Sequence, residues 1–165
     1  MSQINVDKTL KIPAPDKEKF TTVVHSEFIQ FYAKNKKDIP TVFAKLKADA
    51  DGYKVYLKEE MPSRLHYGAK DDCFNRIGDI ILIADPPLVF SSSSRKPKPG
   101  AHGYDNEVAD MRGIFYGWGP AFKTGKVLNH IRNVDVYPIV TEILGLNISD
   151  CIDGNTRISK KVLKQ

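Results

Sequence analysis

The sequence predicts an α/β fold, because strand-like apolar runs and helical periodicities alternate along the chain. Residues 77–84 form a nearly continuous apolar run, which is typical of a strand buried on both faces of a parallel or mixed sheet. Residues 16–31 and 40–46 repeat apolar side chains at the spacing of amphipathic helices. Short alternating segments bounded by turn residues predict the remaining strands.

The first part of the chain is predicted to run strand, helix, helix, strand. Residues 9–12 alternate and are followed by prolines, which predicts a short strand. Asp16 suits the N-cap of a helix whose apolar face would carry Phe20, Val23, Val24, Phe28 and Phe31. Pro40 suits the first turn of the second helix, and Asp51-Gly52 forms a turn into an alternating strand over 53–58.

The second part of the chain is predicted to contain a strand, a helix and a short final element. Residues 111–118 alternate, and glycines and a proline follow them, which predicts a strand and a turn. Asp135 suits the N-cap of a helix through Leu144, with Pro138 in its first turn and Gly145 at its end. The residues predicted to face a sheet are Val136, Ile139, Val140, Ile143 and Leu144. The tail after the helix predicts a turn and a short strand or arm.

A small histidine loop is the strongest candidate for a functional site. His102 lies between Ala101 and Gly103, so little side-chain bulk separates its imidazole from a cleft. Asp105 follows as a carboxylate that could orient the imidazole, or that only caps its own turn. From the residues alone, His102 fits a metal ligand or a surface histidine. Tyr104 and Asn106 are weaker candidates of the same loop.

Two further side chains allow a functional and a structural interpretation. His66, in RLHYG, would either contact a cleft or be packed and hydrogen-bonded within its lobe. Asp85 ends the apolar run, where α/β proteins often place functional groups, but the prolines after it favour a turn-capping carboxylate.

Composition and charge exclude several classes of function. The net charge of +5 comes from lysines spread along the chain, so we expect no specific nucleic-acid binding. One local basic run, Arg95, Lys96 and Lys98, fits either an exposed loop or a phosphate-attracting segment. We expect no membrane segment and no signal peptide, because apolar runs are short and the N-terminus is polar. The cysteines, Cys73 and Cys151, do not make a disulfide framework.

Several motifs in chain order resemble one enzyme family. They are YKVYLKEEMPSRLHYG, RIGDIILIADPP, GAHGYDN, MRGIFYGWGPAF and NVDVYPIVTEILGL. The chain resembles the C-terminal portion of the nucleotide pyrophosphatase/phosphodiesterase (NPP) family, within the alkaline phosphatase superfamily. The resemblance implies hydrolysis of phosphodiester or pyrophosphate bonds, two zinc ions per complete enzyme, and His102 as a zinc ligand with Asp105 supporting it. Members of this family are usually secreted, periplasmic or membrane-anchored.

The same resemblance implies that the site is only partly present here. The family's threonine or serine nucleophile segment and its Ser-Asp-His-Gly metal segment have no match in the sequence. We therefore expect the chain alone to be inactive and not to retain zinc, because a catalytic zinc needs about three protein ligands. A nucleotide or other phosphodiester substrate would be bound only after completion by an N-terminal portion. The alternative is a non-catalytic binding or scaffolding module derived from the same fold.

The resemblance also implies how the chain divides. Residues 1–76 would form a small α+β lobe of the cap or insertion type, and residues 77–165 would form the C-terminal part of an alkaline-phosphatase-like core.

Overall fold

A computed structural model describes residues 9–11, 13–91, 100–148 and 152–164. The chain divides into two compact units, Met1–Gly113 and Ile114–Gln165. Parallel and antiparallel strands occur together with α-helices, which confirms the predicted α/β class. None of the helices in the part of the chain that the structure describes has the length and apolarity that a bilayer span requires.

The described residues of the first unit form six strands and one α-helix. Its elements are β1 (Thr9–Lys11), β2 (Phe20–Val24), β3 (Phe28–Ala33), α1 (Ile39–Ala48), β4 (Tyr53–Leu57), β5 (Ile80–Ala84) and β6 (Val89–Ser91). Four of the strands form an antiparallel sheet with the order β2-β3-β5-β4, and β1 pairs with β6 in a separate parallel two-stranded sheet. The short strand near residue 9, the second helix and the strand near residue 53 are thereby confirmed.

The helix predicted over residues 16–31 is wrong, because this segment forms the β2–β3 hairpin. A short connection, 25–27, joins the strands, and the His25 amide donates to the Phe28 carbonyl over 2.8 Å. The β-branched run 21–24 favours a strand, since such side chains lose rotamer freedom in a helix. Phe20 and Phe31 are buried but Val23 and Val24 are exposed, so the helical spacing did not describe one buried face.

Strand β5 lies in the middle of the core, as its apolar run predicts. Its neighbours β3 and β4 are both antiparallel to it, so the expectation of a parallel or mixed sheet is wrong for this sheet. An apolar run reports burial on both faces but carries no information about the direction of the neighbouring strands. Fully buried side chains at the centre of the unit include Ile29, Phe31, Ile80 and Leu82.

The second unit contains helix α2 (Val136–Ile143) and helix α3 (Arg157–Val162). The predicted helix from residue 135 is confirmed, although Asp135 makes no side-chain cap; its carboxylate instead receives hydrogen bonds from Arg132, at 2.9 Å, and from the Asn155 amide. The predicted strand over 111–118 is wrong for the described residues, since no ladder includes this segment. The tail, predicted as a strand or arm, forms α3 followed by a single bridge between Phe122 and Leu163.

The predicted division at residues 76 and 77 concerns the architecture of a complete enzyme and stays a prediction. In this chain, the boundary between compact units follows residue 113. The basic run Arg95, Lys96 and Lys98 and the residue Cys151 lie outside the described residues. Cys73 is an exposed free thiol.

Candidate functional site

The histidine loop of the first unit is held by the residues that follow His102. Gly103 has a φ of 100°, a left-handed conformation that favours glycine over residues with a Cβ atom. The next residue, Tyr104, is buried and donates a hydrogen bond from its hydroxyl to the Leu88 carbonyl over 2.9 Å. Burial raises the pKa of this phenol to about 12, so it remains a neutral donor.

Asp105 is fixed by a two-pronged ion pair with Arg64. The guanidinium donates from Nη1 to Oδ1 over 2.6 Å and from Nη2 to Oδ2 over 2.7 Å. The Glu107 amide adds a hydrogen bond of 3.0 Å to Oδ1. The hydrogen bonds from Arg64 lower the pKa of the Asp105 carboxyl to about 2, although burial opposes the change. Asp105 is therefore a carboxylate at every ordinary pH.

Arg64 also contacts both residues after Asp105, so it binds the whole turn. Its Nη1 donates to Asn106 Oδ1 over 2.7 Å, and its Nε lies 3.3 Å from Glu107 Oε1. We call this set, Arg64 with Asp105, Asn106 and Glu107, the arginine clamp. A planar guanidinium that pairs with a carboxylate through two bonds fixes direction as well as distance. The clamp therefore ties the 63–65 turn to the histidine loop.

His102, the predicted zinc ligand, lies at the solvent-exposed end of this loop. The side chain of His102 is exposed, two residues before Tyr104, which anchors the loop. The Asp105 carboxylate is directed to Arg64 and to the Glu107 amide. The metal role of His102 and the supporting role of Asp105 stay predictions.

A shallow cavity of about 220 Å³ lies beside the clamp within the first unit. Its charged lining combines Lys54 from β4, Asp85 from the end of β5, and Asp105 and Glu107 from the histidine loop. Asp85 thus lines a cavity and also begins a turn, because its carbonyl accepts from the Leu88 amide over 2.9 Å. Two of the three carboxylates, those of Asp105 and Glu107, are already paired with Arg64, which leaves Asp85 and Lys54 as the remaining charged groups of the lining.

Sequence reasoning singled out His66 in the RLHYG motif and missed the role of Arg64 in the same motif. His66 is half exposed, with a φ of 47°, and its Nδ1 lies 3.6 Å from Asp71 Oδ1. His66 therefore contacts its own lobe. None of its described contacts is with the histidine loop. Arg64 and Asp105 are 41 residues apart in sequence. No local pattern links such positions, so only the fold reveals the clamp.

The described residues do not by themselves fit a zinc site. Among residues 9–11, 13–91, 100–148 and 152–164, no group of three or more His, Cys, Asp or Glu side chains is arranged to hold a metal ion. A catalytic zinc takes about three protein ligands and keeps one open position. His102 alone in its loop cannot meet that requirement.

The sequence of the first unit matches a known family. The model of the type I phosphodiesterase / nucleotide pyrophosphatase family matches residues 3–105, which include β1 to β6 and the histidine loop as far as Asp105. The chain belongs to this family.

Individual members of the NPP family agree with the assignment. The Bos taurus bis(5'-adenosyl)-triphosphatase ENPP4 is 41% identical over 105 residues, which are 64% of this chain and 22% of that protein. The Rattus norvegicus ectonucleotide pyrophosphatase/phosphodiesterase family member 1 is 39% identical over 97 residues, 57% of this chain and 10% of that protein. The chain thus spans about a fifth of ENPP4 and a tenth of family member 1.

Solved structures extend the likeness to nearly the whole chain. Human ENPP5 matches with a TM-score of 0.81 and 26% identity, over 98% of this chain and 42% of that one. Murine ENPP5, solved as an inactive variant in complex with AMP, matches with a TM-score of 0.79 over the same shares. The chain therefore has an alkaline-phosphatase-like architecture but spans less than half of the ENPP5 chain.

Proposed function

We propose that this chain contributes the C-terminal part of the site of a zinc-dependent NPP hydrolase that cleaves phosphodiester or pyrophosphate bonds. The observation that carries the proposal is the family match over residues 3–105, which ends in the histidine loop. The substrate class we propose is a nucleotide, because a solved relative holds AMP and another is named for a dinucleoside triphosphate. Residues 1–76 would belong to its cap-like lobe and residues 77–165 to its core.

Within that proposal, His102 is a zinc ligand and the arginine clamp positions it. The Tyr104 hydroxyl and the Arg64 guanidinium fix the backbone on the C-terminal side of His102. Fixing this backbone lowers the entropy that the imidazole would lose on coordinating a metal. When bound, zinc would supply Lewis-acid polarisation of a phosphoryl oxygen. Asp105 would then act through the loop conformation, since its carboxylate oxygens are occupied by Arg64 and the Glu107 amide.

We further propose that the chain alone is inactive. The sequence has no match to the family's nucleophile segment, and the described residues hold no complete metal set. Metal analysis and hydrolysis of a chromogenic nucleotide ester by the purified chain test this directly. Bound zinc in stoichiometric amount, or turnover that His102→Ala abolishes, would contradict it.

The catalytic proposal is tested in a chimaera in which this chain replaces the matching 42% of human ENPP5. If His102 is a ligand, His102→Ala should reduce the zinc content of the chimaera by about one ion, whatever its activity. His130→Ala is the matched control, because His130 is also exposed but lies outside the family match. Equal zinc content in the His102→Ala and parent chimaeras would reject the assignment.

The alternative that we propose is a non-catalytic binding or scaffolding module derived from the NPP fold. The lack of a metal-holding group among the described residues favours it for the isolated chain. It predicts that the purified chain binds a nucleotide such as AMP in calorimetry without turnover or zinc. Absence of AMP binding at millimolar concentration would remove the nucleotide-binding form of this alternative and leave only the scaffolding form.

A further inference from the structure

One face of helix α3, in the second unit, carries only positively charged side chains. Arg157, Lys160 and Lys161 are exposed and stand three and four residues apart, which places them on the same side of the helix. The opposite side holds Ser159, which is completely buried, and Leu163 follows the helix at 4% exposure. The helix is therefore fixed to its unit by one side and presents its cations to solvent on the other.

The backbone pairing beside α3 brings two more lysines next to this face. The Lys123 amide donates to the Val162 carbonyl and the Lys164 amide donates to the Ala121 carbonyl, each over 2.8 Å. The Lys123 Nζ also donates to the Lys160 carbonyl over 2.9 Å, so this cation lies at the C-terminal end of the helix. We call this set the basic face of the second unit; its members are Lys123, Arg157, Lys160, Lys161 and Lys164.

No carboxylate neutralises the basic face within the part of the chain that the structure describes. None of its members forms an ion pair there. Glu142 of α2 contacts α3, but it accepts a hydrogen bond from the buried Ser159 hydroxyl. Asp135 and Asp153 lie beside Arg132. The described carboxylates of the second unit are therefore engaged elsewhere.

The stability of α3 does not explain this arrangement of charges. Arg157 and Lys161 are like charges at positions i and i+4, and such pairs destabilise a helix. The helix dipole favours Lys160 and Lys161 in the last turn but disfavours Arg157 in the first. A surface that holds several unneutralised cations attracts a partner with negative charge. We therefore look for the function of this face in an anionic partner.

The composition of the basic face favours a membrane surface over a nucleic acid. All of its members except Arg157 are lysines, which act as point charges, whereas bidentate recognition of bases and phosphates relies on arginine. Helix α3, with the sequence RISKKV, carries no aromatic side chain on which a base could stack. Clusters of about four to eight Lys or Arg residues on a helix surface are typical of binding to anionic phospholipids.

We propose that the basic face binds the anionic headgroups of a phospholipid bilayer and holds the chain against the membrane surface. The ligand class is a phosphodiester headgroup with a net negative charge, such as phosphatidylglycerol. The binding is electrostatic, because the side of α3 that holds Ser159 is buried in its own unit and is not free to enter the lipid. The inference goes beyond the proposed function, since attachment to a charged surface requires neither zinc nor turnover.

Sedimentation of the purified chain with lipid vesicles tests this binding. The chain should bind vesicles of equal parts phosphatidylglycerol and phosphatidylcholine at least about tenfold more tightly than vesicles of phosphatidylcholine alone. Raising the salt concentration from about 0.05 M to about 0.5 M should release it, because salt screens the attraction. Equal binding to the two kinds of vesicle, or binding that salt does not weaken, would overturn the proposal. Tighter binding to duplex DNA than to anionic vesicles, at equal phosphate concentration, would overturn it in favour of a nucleic acid.

A pair of double variants separates the basic face from the overall net charge of +5. Lys160→Gln with Lys161→Gln should weaken binding to the anionic vesicles by about tenfold or more, and should leave thermal unfolding unchanged because both side chains are exposed. The matched control is Lys37→Gln with Lys45→Gln, which removes the same charge from exposed positions of the first unit and should weaken binding by less than about threefold. Lys164→Gln, beyond the end of the helix, is a second variant with an expected weakening of about fivefold. Equal weakening by the two double variants would contradict the assignment.

Discussion

The two units of this chain differ in how completely each buries its own apolar residues. The first unit surrounds β5 with β3 and β4 and leaves Ile29, Phe31, Ile80 and Leu82 without solvent exposure. The second unit buries Ile139 and Leu163 but exposes most of its other large apolar side chains. Apolar burial is the main favourable term in folding, so the first unit carries most of the stabilisation that this chain can provide for itself.

The difference follows from secondary structure. Three antiparallel ladders pair the backbone of the first unit, whereas the second unit has two short α-helices, one 3-10 turn and one isolated bridge among its described residues. Isolated helices of this length are marginal in water, because nucleation costs more than a few hydrogen bonds return. The first unit therefore has the pairing of an independent core, whereas the second unit has little backbone pairing of its own.

The largest expected effect is a contrast between one isoleucine of each unit. Ile80→Ala removes a fully buried side chain from the centre of the sheet and should lower the free energy of unfolding by about 2–5 kcal/mol. Ile114→Ala, at 82% exposure, should change it by less than about 0.5 kcal/mol. Urea denaturation followed by far-ultraviolet circular dichroism measures both. Similar losses for the two variants would refute the contrast.

The second unit should lose stability when a closely packed position in it is substituted. A Cβ atom at Gly154 would lie 2.2 Å from the Val134 carbonyl oxygen, so Gly154→Ala forces the backbone to move. We expect a loss of about 1–3 kcal/mol in local stability, measured as faster amide exchange in α2. Gly113→Ala is the control, because nothing lies within 4 Å of its added Cβ. If Gly154→Ala leaves the exchange of α2 unchanged, this packing does not stabilise the helix.

The arginine clamp should contribute less than the core and more than a surface ion pair. Arg64→Met keeps much of the aliphatic length but removes the hydrogen bonds to Asp105, and we expect a loss of about 1.5 kcal/mol. Lys19→Met serves as control, because Lys19 is exposed and ion pairs of this kind add little to stability. The urea midpoints of the two variants at neutral pH distinguish these effects. Equal midpoints would show that the clamp stabilises the fold no more than an exposed ion pair does.

The smallest expected effect is the pH dependence of that loss. The pKa of Asp105 is lowered from 3.8 to about 2 in the folded chain, so the unfolded chain takes up this proton first as pH falls. The stability from Asp105 is therefore complete above about pH 5 and declines as pH falls from about 4 to 2. The difference between parent and Arg64→Met should shrink over that window in urea titrations. A difference that stays constant from pH 6 to pH 2.5 would contradict the assignment.

Local patterns in the sequence predicted much of the fold. The apolar run before Asp85, the Pro40 helix start and the Gly145 helix end were found from neighbouring residues, and each is confirmed. The β2–β3 hairpin was missed because its apolar residues also fit a helical spacing. Side-chain periodicity in a short segment does not separate the two periods, and the β-branched run was the better signal.

The candidate site, like the fold, was predictable from the sequence only in part. The sequence pointed to the loop that carries His102 and Asp105, since small residues beside a histidine are visible locally. Arg64 and the cavity beside the clamp were not predicted, because residues from separate strands and loops meet there only after folding.

By itself, the sequence determined the fold class, the family and the loop that bears the candidate ligand, because each can be recognised from residues that are neighbours in the sequence. Only the tertiary structure decided that Arg64 engages Asp105, that the neighbours of β5 are antiparallel, and that residues 114–118 remain uncovered. Those outcomes depend on contacts between distant parts of the chain. The contacts that stabilise them join residues far apart in the sequence, and no local pattern identifies such pairs.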